Sequence, residues 1–133
     1  MYRLPTAILP LSLCLAAACG SSSPTGPGQS PEPGDVTIVR GASLLTTTAF
    51  DPNPEVLSLA AGARVRWVNG DGGTGYGGGV PVTHQIASDD GAFPTSGPLG
   101  VGETYAVTLT KTGTYRYHCA IHPTMVGTIT VEP

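Results

Sequence analysis

Between residues 35 and 133 no stretch carries apolar side chains at the 3.6-residue spacing that a helix of ordinary length needs. What recurs instead is short runs of alternating, β-branched and aromatic residues. They are separated by turn signals such as Asp51-Pro52-Asn53-Pro54, Ala61-Gly62, Asp90-Gly91, Gly97-Pro98, Val101-Gly102 and Thr112-Gly113. Candidate strands follow at 36–40, 46–50, 56–59, 64–68, 82–87, 104–110, 114–119 and 126–132. About eight short strands in roughly a hundred residues predict an all-β fold, a Greek-key two-sheet sandwich.

The two-residue period of a strand assigns faces. Val65 and Trp67 point inward while Arg64 and Arg66 point out. Tyr105, Val107 and Leu109 face the core, with the intervening threonines outside. In 114–119, Tyr115, Tyr117 and Cys119 share the inner face, and Arg116 and His118 the outer one.

Ahead of this domain the chain opens Met1-Tyr2-Arg3, runs apolar to Ala18, and reaches Cys19 after three alanines. This is the anatomy of an export signal, too short and too interrupted by Pro5 and Pro10 for a membrane span of about 20 residues. Leu15-Ala16-Ala17-Ala18-Cys19 resembles a bacterial lipobox, with Ala16 where Leu is usual. The expected organisation is a signal at 1–18, lipidation of Cys19, a tether at 19–34 and a folded domain at 35–133. The tether, GSSSPTGPGQSPEPG after Cys19, has no apolar side chain to offset the entropy of ordering. Export to the periplasm or the cell-envelope surface follows, with the membrane touched only through the lipid.

Lys111 is the one lysine, and the formal net charge is −3, so there is no basic face for nucleic acid. Cysteine usage is more telling. Cys14 leaves with the signal and Cys19 is acylated, so Cys119 is the one thiol of the mature domain and has no disulfide partner. A single thiol in an oxidising setting is a liability unless it is buried or bound.

Cys119, His122 and Met125 form CxxHxxM in a loop that also holds Pro123. Thiolate, imidazole and thioether together suit copper, which takes two imidazoles, a thiolate and a long axial thioether; zinc has little use for the thioether. The second imidazole is His84 or His118. His118 leaves the outer face of the Cys119 strand, whereas His84 shares its parity with Val82 and Ile86 and points inward. The expected metal ligands are therefore His84, Cys119, His122 and Met125.

Trp67-Val68-Asn69, then His84, then the run from Gly113 through Tyr117-His118-Cys119-Ala120-Ile121-His122-Pro123-Thr124-Met125 to Gly127 closely resemble the plastocyanin-like cupredoxins. The short ligand spacing, with Tyr-His-Cys before it and His-Pro within it, is most similar to the amicyanins. The resemblance implies one type 1 copper per chain, with His84, Cys119 and His122 equatorial and Met125 axial. It implies a monomeric one-electron carrier serving redox partner proteins. A copper chaperone or storage lipoprotein with the same ligands is the alternative. Three histidines cannot supply the extra copper centres of a multicopper oxidase or nitrite reductase, so the chain is not expected to be an enzyme.

Three residues around the ligands depart from the family pattern. Gln85 stands where Asn is common and Ala120 where Thr or Ser is common, which puts the bridge between the two ligand segments in question. Ile121 replaces a common Pro, and its N–H is free to donate to the Cys119 sulfur, raising the potential above that of an Ile121→Pro variant. His122 is expected to show a ring edge to solvent beside Pro94, Pro98, Leu99 and Pro123, so Leu99→Asp should slow electron exchange without changing the spectrum. Residues 70–79, GDGGTGYGGG, lack the GK[ST] of a phosphate loop and read as a flexible insertion with Tyr76 available to a partner. Asp89-Asp90-Gly91 reads as a turn, or as an acidic docking patch.

Overall fold

The computed structural model describes residues 34–73 and 79–133. The signal, Cys19, most of the tether and Tyr76 lie outside the described residues. The described strands are β1 (Asp35–Ile38), β2 (Phe50–Asp51), β3 (Glu55–Ser58), β4 (Arg64–Asn69), β5 (Ile86–Ser88), β6 (Thr104–Thr108), β7 (Gly113–Cys119) and β8 (Val126–Glu132). They form two four-stranded sheets, ordered β2-β1-β4-β6 and β3-β8-β7-β5. Both sheets are mixed: β1 with β4 and β3 with β8 are parallel, the remaining pairs antiparallel. The all-β sandwich expected from the turn spacing is the fold observed.

The parity of each strand fixes what the sheets enclose. Val65 and Trp67 of β4, Tyr117 and Cys119 of β7, and Ile129 and Val131 of β8 are buried, while Arg64, Thr114 and Arg116 are exposed. Trp67 and Phe50 from one sheet meet Tyr117 from the other edge to face, with ring centroids 5.2 and 4.8 Å apart. Tyr105, the register partner of Trp67, stacks on it at 5.6 Å. Aromatic pairs of this kind add about 0.5–1.5 kcal/mol each beyond their burial. They lock the two sheets together directly below Cys119.

Two expected strands differ. Residues 46–50 contribute only Phe50 to a strand, because 42–44 close a 3-10 turn and the chain reaches β2 late. The strand expected at 82–87 begins only at Ile86, and His84 makes a single bridge to Leu99 instead. The cause is tertiary: the Gln85 N–H is directed at the Cys119 sulfur and the Gln85 carbonyl accepts the Ala120 N–H, so the ladder is interrupted before Ile86.

Candidate metal centre

His84 is held by backbone on both sides. It donates its N–H to the Leu99 carbonyl at 3.0 Å and accepts the Leu99 N–H at 2.7 Å. Its ring is fully buried. Cys119 ends β7, opposite Ile86 in register, and the chain then turns through His122 back to β8. That turn is closed by the Met125 N–H on the His122 carbonyl at 3.0 Å and the Cys119 N–H on the Met125 carbonyl at 3.1 Å.

These backbone ties converge three donor atoms. The Cys119 Sγ lies 3.6 Å from His84 Nδ1 and 3.7 Å from His122 Nδ1, and the three ligand atoms all fall within 4.8 Å of one another. The two imidazole rings are 5.0 Å apart, centroid to centroid. Among the described residues this is the one such group of His, Cys, Asp or Glu side chains. Met125 is fully buried and follows in the same loop. His118 stands apart, as strand parity predicts: its Nδ1 pairs with Asp89 Oδ1 at 2.6 Å on the outer face. Asp90 caps its own turn through Ser88 Oγ and the Ala92 N–H, so this stretch is the turn the sequence suggests.

The electrostatics favour a bound cation. Burial pushes the Cys119 thiol up, but His84, the Gln85 and His122 amides and the His122 ring outweigh it and bring it down to about 6. Burial pushes His84 down, yet the sulfur on one side and Asp71 on the other raise it above its ordinary value. A metal ion binding the Cys119 sulfur therefore meets a thiol already inclined to give up its proton.

The amides facing the sulfur correct one expectation. They belong to Gln85, at 3.4 Å, and to His122, not to Ile121, whose side chain is exposed. The bridge between ligand segments also exists, but the main chain makes it: Ala120 N–H donates to the Gln85 carbonyl at 2.7 Å. The Gln85 side chain reaches the Ser96 carbonyl at 2.7 Å and holds the 94–98 loop in place. Leu99 is a second correction. It is 6% exposed and paired to His84, so it cannot serve as a docking residue, and an aspartate there would disrupt the site itself.

The sequence leaves Asp71 unassigned and gives Asn69 no role beyond the family resemblance, yet both are buried at the foot of the Gly-rich insertion. Asp71 Oδ2 meets His84 Nε2 at 2.9 Å, and its Oδ1 accepts the Gly41 and Gly73 N–H groups at 2.7 and 2.9 Å. Asn69 donates to the Val82 and Leu99 carbonyls, both at 2.8 Å. The available signal was two short polar residues bracketing a glycine at the end of a buried strand, a pattern that binds its own backbone.

The family model for copper-binding proteins of the plastocyanin/azurin family matches residues 42–132. The chain belongs to the plastocyanin/azurin family of copper-binding proteins. Amicyanin of Paracoccus denitrificans is 30% identical over 92% of this cupredoxin and 92% of its own length. A purple cupredoxin of Nitrosopumilus maritimus superposes with a TM-score of 0.60 at 27% identity, covering 74% of this chain and 98% of that one. A copper-containing nitrite reductase of Thermus scotoductus matches at 30% identity and a TM-score of 0.57, over 84% of this cupredoxin but 26% of the enzyme. That likeness reaches only a part of the reductase. The cofactor is one copper ion per chain, and the donor set fits it: a low-pKa thiol and two Nδ1 atoms on one buried point, in a family of blue copper electron carriers.

Proposed function

We propose that this cupredoxin carries single electrons in the cell envelope, and that His84, Cys119, His122 and Met125 are the residues that would hold its copper. The observation that carries the reading is the convergence of Cys119 Sγ with two imidazole Nδ1 atoms at 3.6 and 3.7 Å. Copper held there supplies a one-electron couple between Cu(I) and Cu(II). Four protein donors leave no position for a substrate, in contrast with catalytic metal sites. The chain's own part is rigidity. The Leu99 bridge, the Gln85–Ala120 bond and the 119–125 turn fix the donors before any ion arrives, so little has to move when the charge changes. Export through residues 1–18, acylation of Cys19, a tether at 19–34 and a monomeric domain complete the proposal. No described helix is long and apolar enough to cross a membrane.

Cu(II) added to the domain is expected to give an intense blue or purple thiolate-to-copper band and a narrow-hyperfine paramagnetic resonance spectrum. The colour is lost and regained on reversible one-electron reduction. A colourless complex would overturn the reading, and rapid loss of copper to a chelator would instead favour metal delivery.

Electrons would enter through His122, which is half-buried between exposed Ile121 and Pro123, with Pro94 and Pro98 also exposed. An apolar rim of this kind suits brief docking. Ile121→Asp is expected to slow electron self-exchange between oxidised and reduced copies about tenfold, because each encounter then opposes two carboxylates. Line broadening in magnetic resonance reads the rate. An altered blue band with unchanged exchange would place Ile121 in the site instead of on the port.

A further inference from the structure

We propose that Asp71 is a positioning residue that orients His84 and biases the site toward the oxidised metal. The inference rests on the copper reading of the His84, Cys119, His122 group and deepens it. Residues 70–79 read in the sequence as a spacer, yet the first of their side chains is among the fully buried ones of the described residues. Asp71 is fully buried, and both of its oxygens are engaged.

The geometry assigns the tautomer. A carboxylate oxygen 2.9 Å from Nε2 requires a proton on that nitrogen, which leaves the Nδ1 lone pair facing Cys119 Sγ, where the metal would sit. The carboxylate is itself immobilised, because Gly41 and Gly73 N–H groups grip its other oxygen. Asn69 Oδ1 accepts the Asp71 N–H at 2.9 Å, and the Asp71 carbonyl accepts the Val82 N–H at 3.1 Å. The start of the insertion is thus tied to Val82, two residues before His84. Gly73, at φ 79°, lets the chain pass against Val80, where a Cβ would lie 2.1 Å from the carbonyl oxygen. Residues 71–73 fold back on the carboxylate.

Any acceptor would hold the ring. What Asp71 adds over a neutral carbonyl is a full negative charge on a fully buried side chain, where charge acts strongly. An anionic acceptor on Nε2 strengthens the imidazole as a donor, and the more highly charged ion gains most. Asp71 therefore favours Cu(II) and lowers the potential.

The test is Asp71→Asn, with Asp71→Ser as a second variant whose hydroxyl can still take the Gly73 N–H. Affinities for Cu(II) and Cu(I), the reduction potential and the thermal stability of the metal-free proteins are measured. Losing an outer partner of a ligating histidine typically costs about 10–100-fold in affinity. Here the Cu(II) affinity is expected to fall about tenfold further than that for Cu(I), equivalent to a potential higher by about 59 mV for one electron. A purely structural role would weaken both ions alike and leave the potential where it was; that result, or a lower potential, overturns the inference. Should neither variant fold, the reduced wild-type protein decides. A slowly exchanging proton on His84 Nε2 in nitrogen-15 spectra supports the assignment, and an unprotonated Nε2 overturns it. Wild-type protein that takes up no copper would instead defeat the copper reading itself.

Discussion

Cys119→Ser leaves a folded sandwich that has lost its thiolate-to-copper absorption. The two halves of that expectation have separate causes. Cys119 is fully buried at the end of β7, so its replacement must be tolerated by the core and by the polar groups aimed at it. Those groups are donors: the Gln85 N–H at 3.4 Å and the His122 N–H. A serine oxygen accepts from the same donors, so no amide is orphaned. The worst case is a poorly satisfied hydroxyl, costing about 1–3 kcal/mol. An ordinary domain of this size has about 5–15 kcal/mol to lose. The metal loses far more. Without sulfur there is no thiolate to give the charge-transfer band, and a hydroxyl does not ionise near pH 7 as this thiol does. The fall in copper affinity should exceed the roughly 10–100-fold seen when only an outer partner is removed. Visible spectra of the copper-loaded variant and thermal melts of the metal-free pair read the two effects independently. A persisting blue band would show that Cys119 is not the source of the thiolate absorption and would overturn the assignment.

How far the site was legible depended on how local its causes are. Strand parity placed His84 and Cys119 inward and His118 outward, since the alternation of a strand holds wherever one face is buried. CxxHxxM put three donors in one turn by chain length alone. What escaped was tertiary. Asp71 is 13 residues from His84, across a Gly-rich stretch with no periodicity to orient it. Leu99 is expected among the apolar residues around the His122 ring edge, but its pairing with His84 buries it. Which amide faces the sulfur depends on backbone torsions within the turn, so Gln85, 34 residues away, could not be read from spacing. The strand expected at 82–87 failed for the same reason: Gln85 gives its hydrogen bonds to the metal loop.

Gly127→Ala is expected to destabilise the domain by about 3 kcal/mol, which is the opposite of what the backbone alone dictates. Gly127 is not among the glycines with positive φ, so alanine can adopt its conformation. On that count the change would stabilise by about 0.4–1 kcal/mol through the unfolded chain. The side-chain environment reverses the sign. A Cβ on Gly127 would lie 2.2 Å from Tyr117 Cζ and 2.7 Å from its Cε1, inside any real contact. Tyr117 is the register partner of Gly127 and lays its ring over the position where that side chain would stand. The ring cannot retreat, because it is fully buried with Phe50 at 4.8 Å and Trp67 at 5.2 Å. Overpacking of a tight core costs about 1–3 kcal/mol, and here the clash is with a ring enclosed on three sides. Relief requires the β7–β8 ladder to open between Tyr117 and Gly127. The strain would reach the metal site, since Cys119 lies two residues beyond Tyr117 and Met125 two before Gly127. Chemical denaturation of a double-mutant cycle tests the cause. In a Tyr117→Ala background the ring is gone, so Gly127→Ala should become neutral or mildly stabilising. Equal destabilisation in both backgrounds would mean that the ring is not the obstacle, and that Gly127 is needed for the backbone of β8 itself.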